Sequence, residues 1–320
     1  MRFFFLLLQV CLFAADFDCV VVGSSPFSLF EALYQCHSGK KVLILEEAAQ
    51  CGGAWKAIDI CGICHADLGC HQVGCDMQLK AFLEEYAGCK IVSMDHPTLP
   101  FEAVSESPNG WYFSQGCFEL IDHLLHLIAA TDIALCTNCQ VERVSIDPSQ
   151  NIAKVQTKNG SYTTKKLIVT PMSVLPPQNQ GKSKYYHLYL LIQDPTPPRF
   201  TYQGGLVSGS SRMMNLTHFV GLAETGRQLV VLQMHNESHV TDGQFYVDAL
   251  KNQSLLDVGA YLLKAEPYIY EAGAFQQGLI SEMGAQELIE VLQTAHFLNL
   301  SGYISKWKQV LKPYHDALGR

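Results

Sequence analysis

The sequence has no cluster of basic residues. Its 22 Lys and Arg residues are outnumbered by 30 Asp and Glu residues, which gives a formal net charge of −8. The densest basic sites are the doublets Lys40-Lys41 and Lys165-Lys166. Because nucleic-acid binding needs a concentrated basic surface, we expect no nucleic-acid partner. A length of 320 residues and 48% hydrophobic content favour a globular chain with a large core and about two domains.

The sequence also lacks an apolar segment of the length that a membrane-spanning helix needs, roughly 20 residues. The longest apolar segment covers residues 3–15 and is interrupted only by Gln9. Its position behind Arg2 and its end at Ala14-Ala15 are typical of a secretory signal. We expect residues 1–15 to be a signal-like or anchoring segment, so that the protein is exported or associated with a membrane. A buried extension of a cytoplasmic protein is the alternative.

The second half of the chain contains no cysteine, because all 12 cysteines lie before residue 140. Two pairs have the spacing C-x-x-C: Cys61 with Cys64, and Cys136 with Cys139. Such pairs can serve as redox dithiols or supply a four-thiolate zinc site, and cysteines can also be small buried hydrophobes. The separation of 72 residues between Cys64 and Cys136 is longer than compact zinc modules use. We therefore favour buried thiols and predict no metal site.

The first folded segment reads as strand, turn, helix and strand. The continuous apolar runs Cys19–Val22 and Val42–Leu45 predict strands that are buried on both faces. Apolar residues at helical spacing predict a helix over residues 27–36, and the small residues before it predict a tight turn. Glu46 follows the second strand, where a ribose-binding acid or a solvated strand end is expected.

This unit has the physical features of a dinucleotide-binding site. Small residues let the backbone approach a pyrophosphate, and the start of the helix stabilises its negative charge. Gly23, Ser24, Ser25 and Ser28 are the candidate phosphate-facing residues, and Glu46 is the candidate ribose ligand. The fingerprint G-x-G-x-x-G is altered, because serines stand where its second and third glycines are expected.

The residues after Glu46 carry a resemblance to a known group of proteins. The run Gly52-Gly53-Ala54-Trp55 resembles the glycine turn of the flavoprotein superfamily that includes amine oxidases, protoporphyrinogen oxidases, phytoene desaturases and UDP-galactopyranose mutase. The resemblance implies FAD as the cofactor, with these four residues on the flavin side. Later segments resemble the same group, namely residues 140–146, residues 166–171, and residues 289–294 with Trp307. For the first two segments the resemblance implies FAD contacts at Val141 and Thr170.

The predicted fold class is α/β, with an FAD/NAD(P)-binding Rossmann-like domain and a discontinuous, reduced α+β substrate domain. We expect residues 16–75, 115–180 and 270–320 to form the FAD-binding domain. Residues 76–114 and 181–269 are assigned to the substrate domain. A late Gly-Asp pair that holds FAD in many relatives has no counterpart, since Gly284-Ala285 is not followed by Asp.

Two polar side chains are further candidates. The resemblance places His71 where relatives approach the flavin ring, and a histidine there can move a proton or contact substrate. A hydrogen-bonded structural histidine is the alternative. Arg212 lies among apolar and small residues, where a surface ion pair is favoured over binding of an anionic substrate group.

Three functions remain open from the sequence. The first is an FAD-dependent oxidoreductase that removes a hydride from a small or apolar substrate. The second is a flavin-less binding protein on the same fold, as in Rab GDP-dissociation inhibitors, which the altered glycine loop favours. The third is a flavin-linked thiol oxidoreductase that uses Cys61 and Cys64. A small molecule is the expected partner, and the oligomeric state is not predicted.

Overall fold

The computed structural model describes residues 15–73, 76–95, 110–147, 149–169, 174–175, 183–204, 209–237, 242–272, 275–276, 288–291 and 301–317. Most of the predicted signal-like segment and Thr170 lie outside these ranges, so both assignments stay predictions. No helix among the described residues combines the length and the apolar character that crossing a membrane requires.

The described residues form 19 strands and five α-helices. The strands are β1 (Cys19–Val22), β2 (Val42–Leu45), β3 (Ala57–Ile60), β4 (Ile63–Asp67), β5 (Ile91–Ser93), β6 (Trp111–Phe113), β7 (Ala134–Cys136), β8 (Val141–Asp147), β9 (Ile152–Thr157), β10 (Gly160–Thr164), β11 (Leu167–Val169), β12 (Val174–Leu175), β13 (Ser183–Gln193), β14 (Tyr202–Gly204), β15 (Ser210–Asn215), β16 (Arg227–Met234), β17 (Tyr261–Ala272), β18 (Phe275–Gln276) and β19 (Ile289–Val291). The helices are α1 (Pro26–His37), α2 (Met77–Glu85), α3 (Phe118–Ala129), α4 (Gly243–Asn252) and α5 (Ser301–Ala317).

A parallel sheet organises the first layer, with strand order β19-β11-β1-β2-β7. All residues of β1 and β2 are buried, because helices cover one face and the antiparallel strands β8, β9 and β10 cover the other. The predicted strands at residues 19–22 and 42–45 are confirmed. The carboxyl ends of β1 and β2 lie side by side, which places Gly23 and Glu46 at the same edge.

Helix α5 holds the helical side of this layer together. Trp307 stacks on Phe30 of α1, with ring centroids 4.8 Å apart, and also contacts Phe82 of α2 at 6.2 Å. The buried carboxylate of Glu31 in α1 accepts two hydrogen bonds from Lys306, at 2.6 and 2.8 Å. Helix α2 thus packs on helices of the first layer.

The second layer is an antiparallel sheet with strand order β14-β15-β16-β13-β17. Side chains alternate between the two faces of a strand, so the sheet has an outer and an inner face. The outer face packs on α4 through Leu188 and Leu190. The inner face packs on the first layer through Tyr189, Val231 and Met214. The fold therefore brings the inner face of this sheet against the segments that follow β2.

Candidate functional site

The turn after β1 combines a glycine in the left-handed conformation with a capped helix start. Gly23 has φ +91°, a conformation that side-chain-bearing residues rarely adopt. Ser25 is the N-cap of α1, and its hydroxyl accepts a hydrogen bond from the backbone N–H of Ser28 at 3.3 Å. The buried Ser28 hydroxyl is 3.0 Å from that of Ser25, so the serine at the third glycine position has a polar partner. The start of α1 therefore lies at the edge where the sequence predicts a pyrophosphate.

Glu46 is not a solvated strand end, since it is only 7% exposed. One carboxylate oxygen accepts a hydrogen bond from the Ser24 hydroxyl at 2.5 Å, and the other accepts one from the backbone N–H of Ala48 at 2.8 Å. The Ser24 hydroxyl in turn accepts from the backbone N–H of Gly52 at 2.9 Å. A chain of hydrogen bonds thus links the glycine loop, the acid and the Gly-Gly turn.

The Gly-Gly turn lies between the two layers. Gly52 and Gly53 have φ values of +113° and +59°. A Cβ on Gly52 would come within 3.2 Å of the Ile121 side chain of α3, so the turn needs glycine for space as well as for conformation. A Cβ on Gly53 would lie 3.8 Å from the hydroxyl of Tyr270 on β17. The predicted flavin-side residues therefore face the inner surface of the second sheet.

His71 is held in one protonation state. Its Nε2 atom is 2.8 Å from the Ala54 carbonyl oxygen and 2.7 Å from the Leu68 carbonyl oxygen, and its ring stacks on Trp55 with centroids 5.0 Å apart. Carbonyl oxygens only accept hydrogen bonds, so Nε2 carries the proton. Burial lowers the pKa of His71 to about 4. The ring is therefore neutral near pH 7, with an unprotonated Nδ1.

Asp67 anchors this segment to helix α3, a role that the sequence analysis missed. The buried carboxylate accepts hydrogen bonds from the Tyr112 hydroxyl at 2.5 Å and from the backbone N–H of Cys117 at 2.9 Å. Burial raises the pKa of Asp67, while these donors act in the opposite direction. Its backbone carbonyl also accepts from the Tyr189 hydroxyl at 2.7 Å, which ties β4 to the second sheet. The only signal in the sequence was an isolated Asp two positions before Gly69.

Val141, for which an FAD contact is predicted, begins β8 next to the loop that follows β7. In that loop the backbone N–H of Cys139 donates to the carbonyl oxygen of Glu46 at 2.8 Å. Val141 is half-buried and packs against the apolar cluster on that face of the parallel sheet. The structure thus brings Val141 to the Glu46 side of the site, and its contact with a nucleotide stays a prediction.

His187 is a second histidine of the site, and no sequence motif includes it. It lies on β13, is 5% exposed, and its Nδ1 has no hydrogen-bond partner among the described residues. A Cβ on Gly69 would come within 2.6 Å of its Nε2, so Gly69 is the residue that admits the ring. Burial lowers the pKa of His187 to about 4. His187 is hidden in the sequence because only the sheet register brings it to the inner face.

The cysteine pairs do not form a common site within the described ranges, where no group of three or more His, Cys, Asp and Glu residues could hold a metal ion. Cys61 lies in the β3–β4 turn at φ 54°, and its thiol donates to the Tyr189 carbonyl oxygen at 3.8 Å. Burial raises the pKa of Cys61 to about 11, whereas Cys64 is exposed. A redox thiol needs a lowered pKa, so this environment favours the buried-thiol interpretation.

The structure resembles known flavoenzymes, although no protein-family model matches the chain and no curated protein matches it in sequence. A candidate protoporphyrinogen oxidase from Exiguobacterium sp. 255-15 aligns with a TM-score of 0.61 and 9% identity, covering 93% of this chain and 98% of that one. Reduced UDP-galactopyranose mutase gives 0.56 and 12%, covering 95% and 96%. An oxidoreductase from Methanosarcina mazei gives 0.54 and 14%, covering 78% and 87%.

These alignments cover both layers of the structure, so they concern the whole architecture and not the parallel sheet alone. At identities of 9–14% they establish the fold and leave the activity open. The chain has the FAD/NAD(P)-binding Rossmann-like fold of the amine-oxidase-like flavoenzymes, as the resemblance in its sequence implied.

Proposed function

We propose that the protein is an FAD-dependent oxidoreductase that removes a hydride from a small or apolar substrate. The observation that carries the proposal is the hydrogen-bond chain from Glu46 through Ser24 to Gly52. At one sheet edge it joins the three segments that would bind FAD, which are the glycine loop, Glu46 and the Gly-Gly turn. The fold is compatible with this role, because ligands of open α/β sheets bind at the carboxyl ends of the strands.

The residues at this edge fit an FAD molecule. Gly23 leaves the loop open, since a Cβ built there would meet nothing closer than the Ser28 hydroxyl at 3.9 Å. The loop and the start of α1 would hold the pyrophosphate, and Glu46 would accept from ribose hydroxyls. Each carboxylate oxygen of Glu46 has two lone pairs and one donor in the structure, so it can accept a further hydrogen bond.

When bound, the flavin supplies acceptance of a hydride, and the protein supplies orientation and electrostatics. The turn at Gly52-Gly53 would hold the flavin side. His71 would present a neutral ring whose unprotonated Nδ1 can take a proton from substrate, while Trp55 and two backbone carbonyls fix its orientation. The inner face of the second sheet would exclude water from this region.

A flavin-less binding protein is the second candidate. It is favoured by the two hydrogen bonds that already occupy Glu46, from the Ser24 hydroxyl and the Ala48 N–H. It is also favoured by the two serines in the glycine loop. Under this candidate the Ser24 hydroxyl takes the place of a ribose hydroxyl and keeps the edge closed. The thiol oxidoreductase has no such support, because the pKa of Cys61 is raised.

The absorption spectrum of the purified protein separates the two candidates. We expect the visible absorption bands typical of oxidised flavins, either on purification or after incubation with FAD and removal of the excess. Released cofactor should be identified as FAD by chromatography. A colourless protein that retains no added FAD would support the flavin-less binding protein and reject the oxidoreductase.

A further inference from the structure

One row of side chains crosses the inner face of the second sheet opposite the Gly-Gly turn. The strand register pairs Tyr268 with His187, His187 with Gln233, and Gln233 with Arg212. Directly paired residues of neighbouring strands point to the same face. The neighbouring row, with Tyr189, Val231 and Met214, packs in the core against the first layer. The polar row therefore lies on the same side, next to Gly69 and His71.

Arg212 has no counter-ion within the described residues. It is half-buried, and its guanidinium makes no ion pair or hydrogen bond with any of them. The surface ion pair that the sequence favoured for Arg212 does not occur among the described residues. The Arg212 charge acts together with burial to lower the pKa of His71 and of His187. A partly desolvated cation of this kind is stabilised by an anion.

His187 provides the second observation that points to a ligand. Its Nδ1 is buried and has no partner among the described residues, although a buried polar atom without a hydrogen bond costs roughly 1–3 kcal/mol. Arg212 lies two strands away from His187, so their backbones are separated by roughly 10 Å. A small anionic group can contact the guanidinium and the imidazole at once, because both side chains extend from the same face.

We propose that Arg212 and His187 bind the carboxylate group of a small monocarboxylate substrate. The planar guanidinium matches two carboxylate oxygens, and a neutral imidazole can donate its single N–H to one of them. The rest of the molecule would extend along Tyr268 and Tyr270 toward Gly53, which places its oxidisable carbon on the flavin side. Only this last step depends on the proposed function, since the anion site belongs to the protein itself.

Tyrosine rings next to the row favour an aromatic probe, so benzoate and its neutral analogue benzamide suit the test. Saturation-transfer NMR on the full chain, with and without FAD, would measure both dissociation constants. We expect benzoate to bind at least about tenfold more tightly than benzamide. Equal binding of the two compounds, or no binding of benzoate, would overturn the inference without any variant.

Variants locate the site. Arg212→Gln should weaken benzoate binding at least about tenfold, and Arg212→Lys should retain part of it because the charge remains. The matched control is Arg199→Gln, which removes the same charge at an exposed pair with Asp257. An equal effect of Arg212→Gln and Arg199→Gln would contradict the inference.

The two proposals can fail separately. If the protein prefers benzoate to benzamide but does not bind FAD, only the proposed function is rejected. If it binds FAD but binds benzoate and benzamide equally, only this inference is rejected.

Discussion

The hydroxyl of Ser24 donates to the carboxylate of Glu46 across 2.5 Å. The same hydroxyl accepts from the backbone of Gly52, so one serine connects the glycine loop to the acid and to the Gly-Gly turn. An alanine at this position would leave the carboxylate and the turn without their common partner. The geometry of the cofactor edge therefore depends on a residue at a variable position of the glycine fingerprint.

The Ser24→Ala variant tests that dependence. Loss of the hydroxyl removes two hydrogen bonds of roughly 1 kcal/mol each, so we expect the dissociation constant for FAD to rise several-fold to about 30-fold. Titration of the apoprotein, followed by flavin fluorescence, measures it. Ser38→Ala is the control, because it removes an exposed hydroxyl that bonds only the Tyr34 carbonyl of the same helix. Unchanged FAD affinity in Ser24→Ala would show that the linkage is unimportant for the cofactor.

The two buried histidines predict a loss of stability in acid. Burial lowers the pKa of both rings from the ordinary value of 6.5 to about 4, so between these values the unfolded chain binds protons that the native protein does not. The free energy of unfolding should therefore be constant above pH 6.5 and fall between pH 6.5 and 4, by about 1.4 kcal/mol per pH unit for each histidine in the middle of that range. Urea unfolding as a function of pH measures this slope.

Replacement of both histidines separates their effect from general acid denaturation. The double variant His71→Gln, His187→Gln should show a shallower fall over the same pH range. His126→Gln removes an exposed histidine of α3 and should keep the slope of the unmodified protein. Identical slopes in all three proteins would show that neither buried ring is kept neutral by the fold.

The buried pair between Glu31 and Lys306 predicts an asymmetric effect of substitution. Lys306→Met leaves the fully buried carboxylate without its cation, which typically costs about 3–5 kcal/mol. The double variant Glu31→Gln, Lys306→Met should recover a large part of that loss, because no charge remains buried. Urea unfolding midpoints measure both changes, with Lys308→Met as the control on the same helix. A double variant less stable than Lys306→Met would contradict this account.

The environment of Cys61 predicts that the C-x-x-C pair takes no part in the redox reaction. A thiol with a raised pKa carries little thiolate at neutral pH. The variant Cys61→Ser, Cys64→Ser should reduce and reoxidise its flavin at the rates of the unmodified protein, as stopped-flow absorbance would show. A loss of either rate at full flavin content would instead support the flavin-linked thiol oxidoreductase.

Local sequence patterns predicted much of the first layer. Continuous apolar runs identified β1 and β2, because a parallel sheet with both faces covered requires apolar residues at every position. The start of α1 was also predictable, since a small polar residue before Pro26 is typical of a helix N-cap. The position of Glu46 followed from these two strands, because their carboxyl ends must lie next to each other.

The residues that the sequence did not reveal depend on long-range packing. Asp67 receives its donors from Tyr112 and Cys117, which are distant along the chain. His187 shares the inner face with Arg212 only through the register of an antiparallel sheet, and a one-residue shift of β13 would send His187 to the opposite face. The pairing of β13 with β16 joins strands that are distant along the chain, so this part of the site required the structure.

The affinity of the apoprotein for FAD compared with FMN tests the central proposal most directly. FMN lacks the second phosphate and the adenosine, so it cannot use the helix start or Glu46 fully. We predict that FAD binds at least about tenfold more tightly than FMN. Glu46→Gln should lower the affinity for FAD by about 10- to 100-fold and leave the affinity for FMN unchanged. Glu271→Gln, at an exposed position, is the control. Equal affinity for the two flavins, or an FAD affinity unaffected by Glu46→Gln, would contradict it.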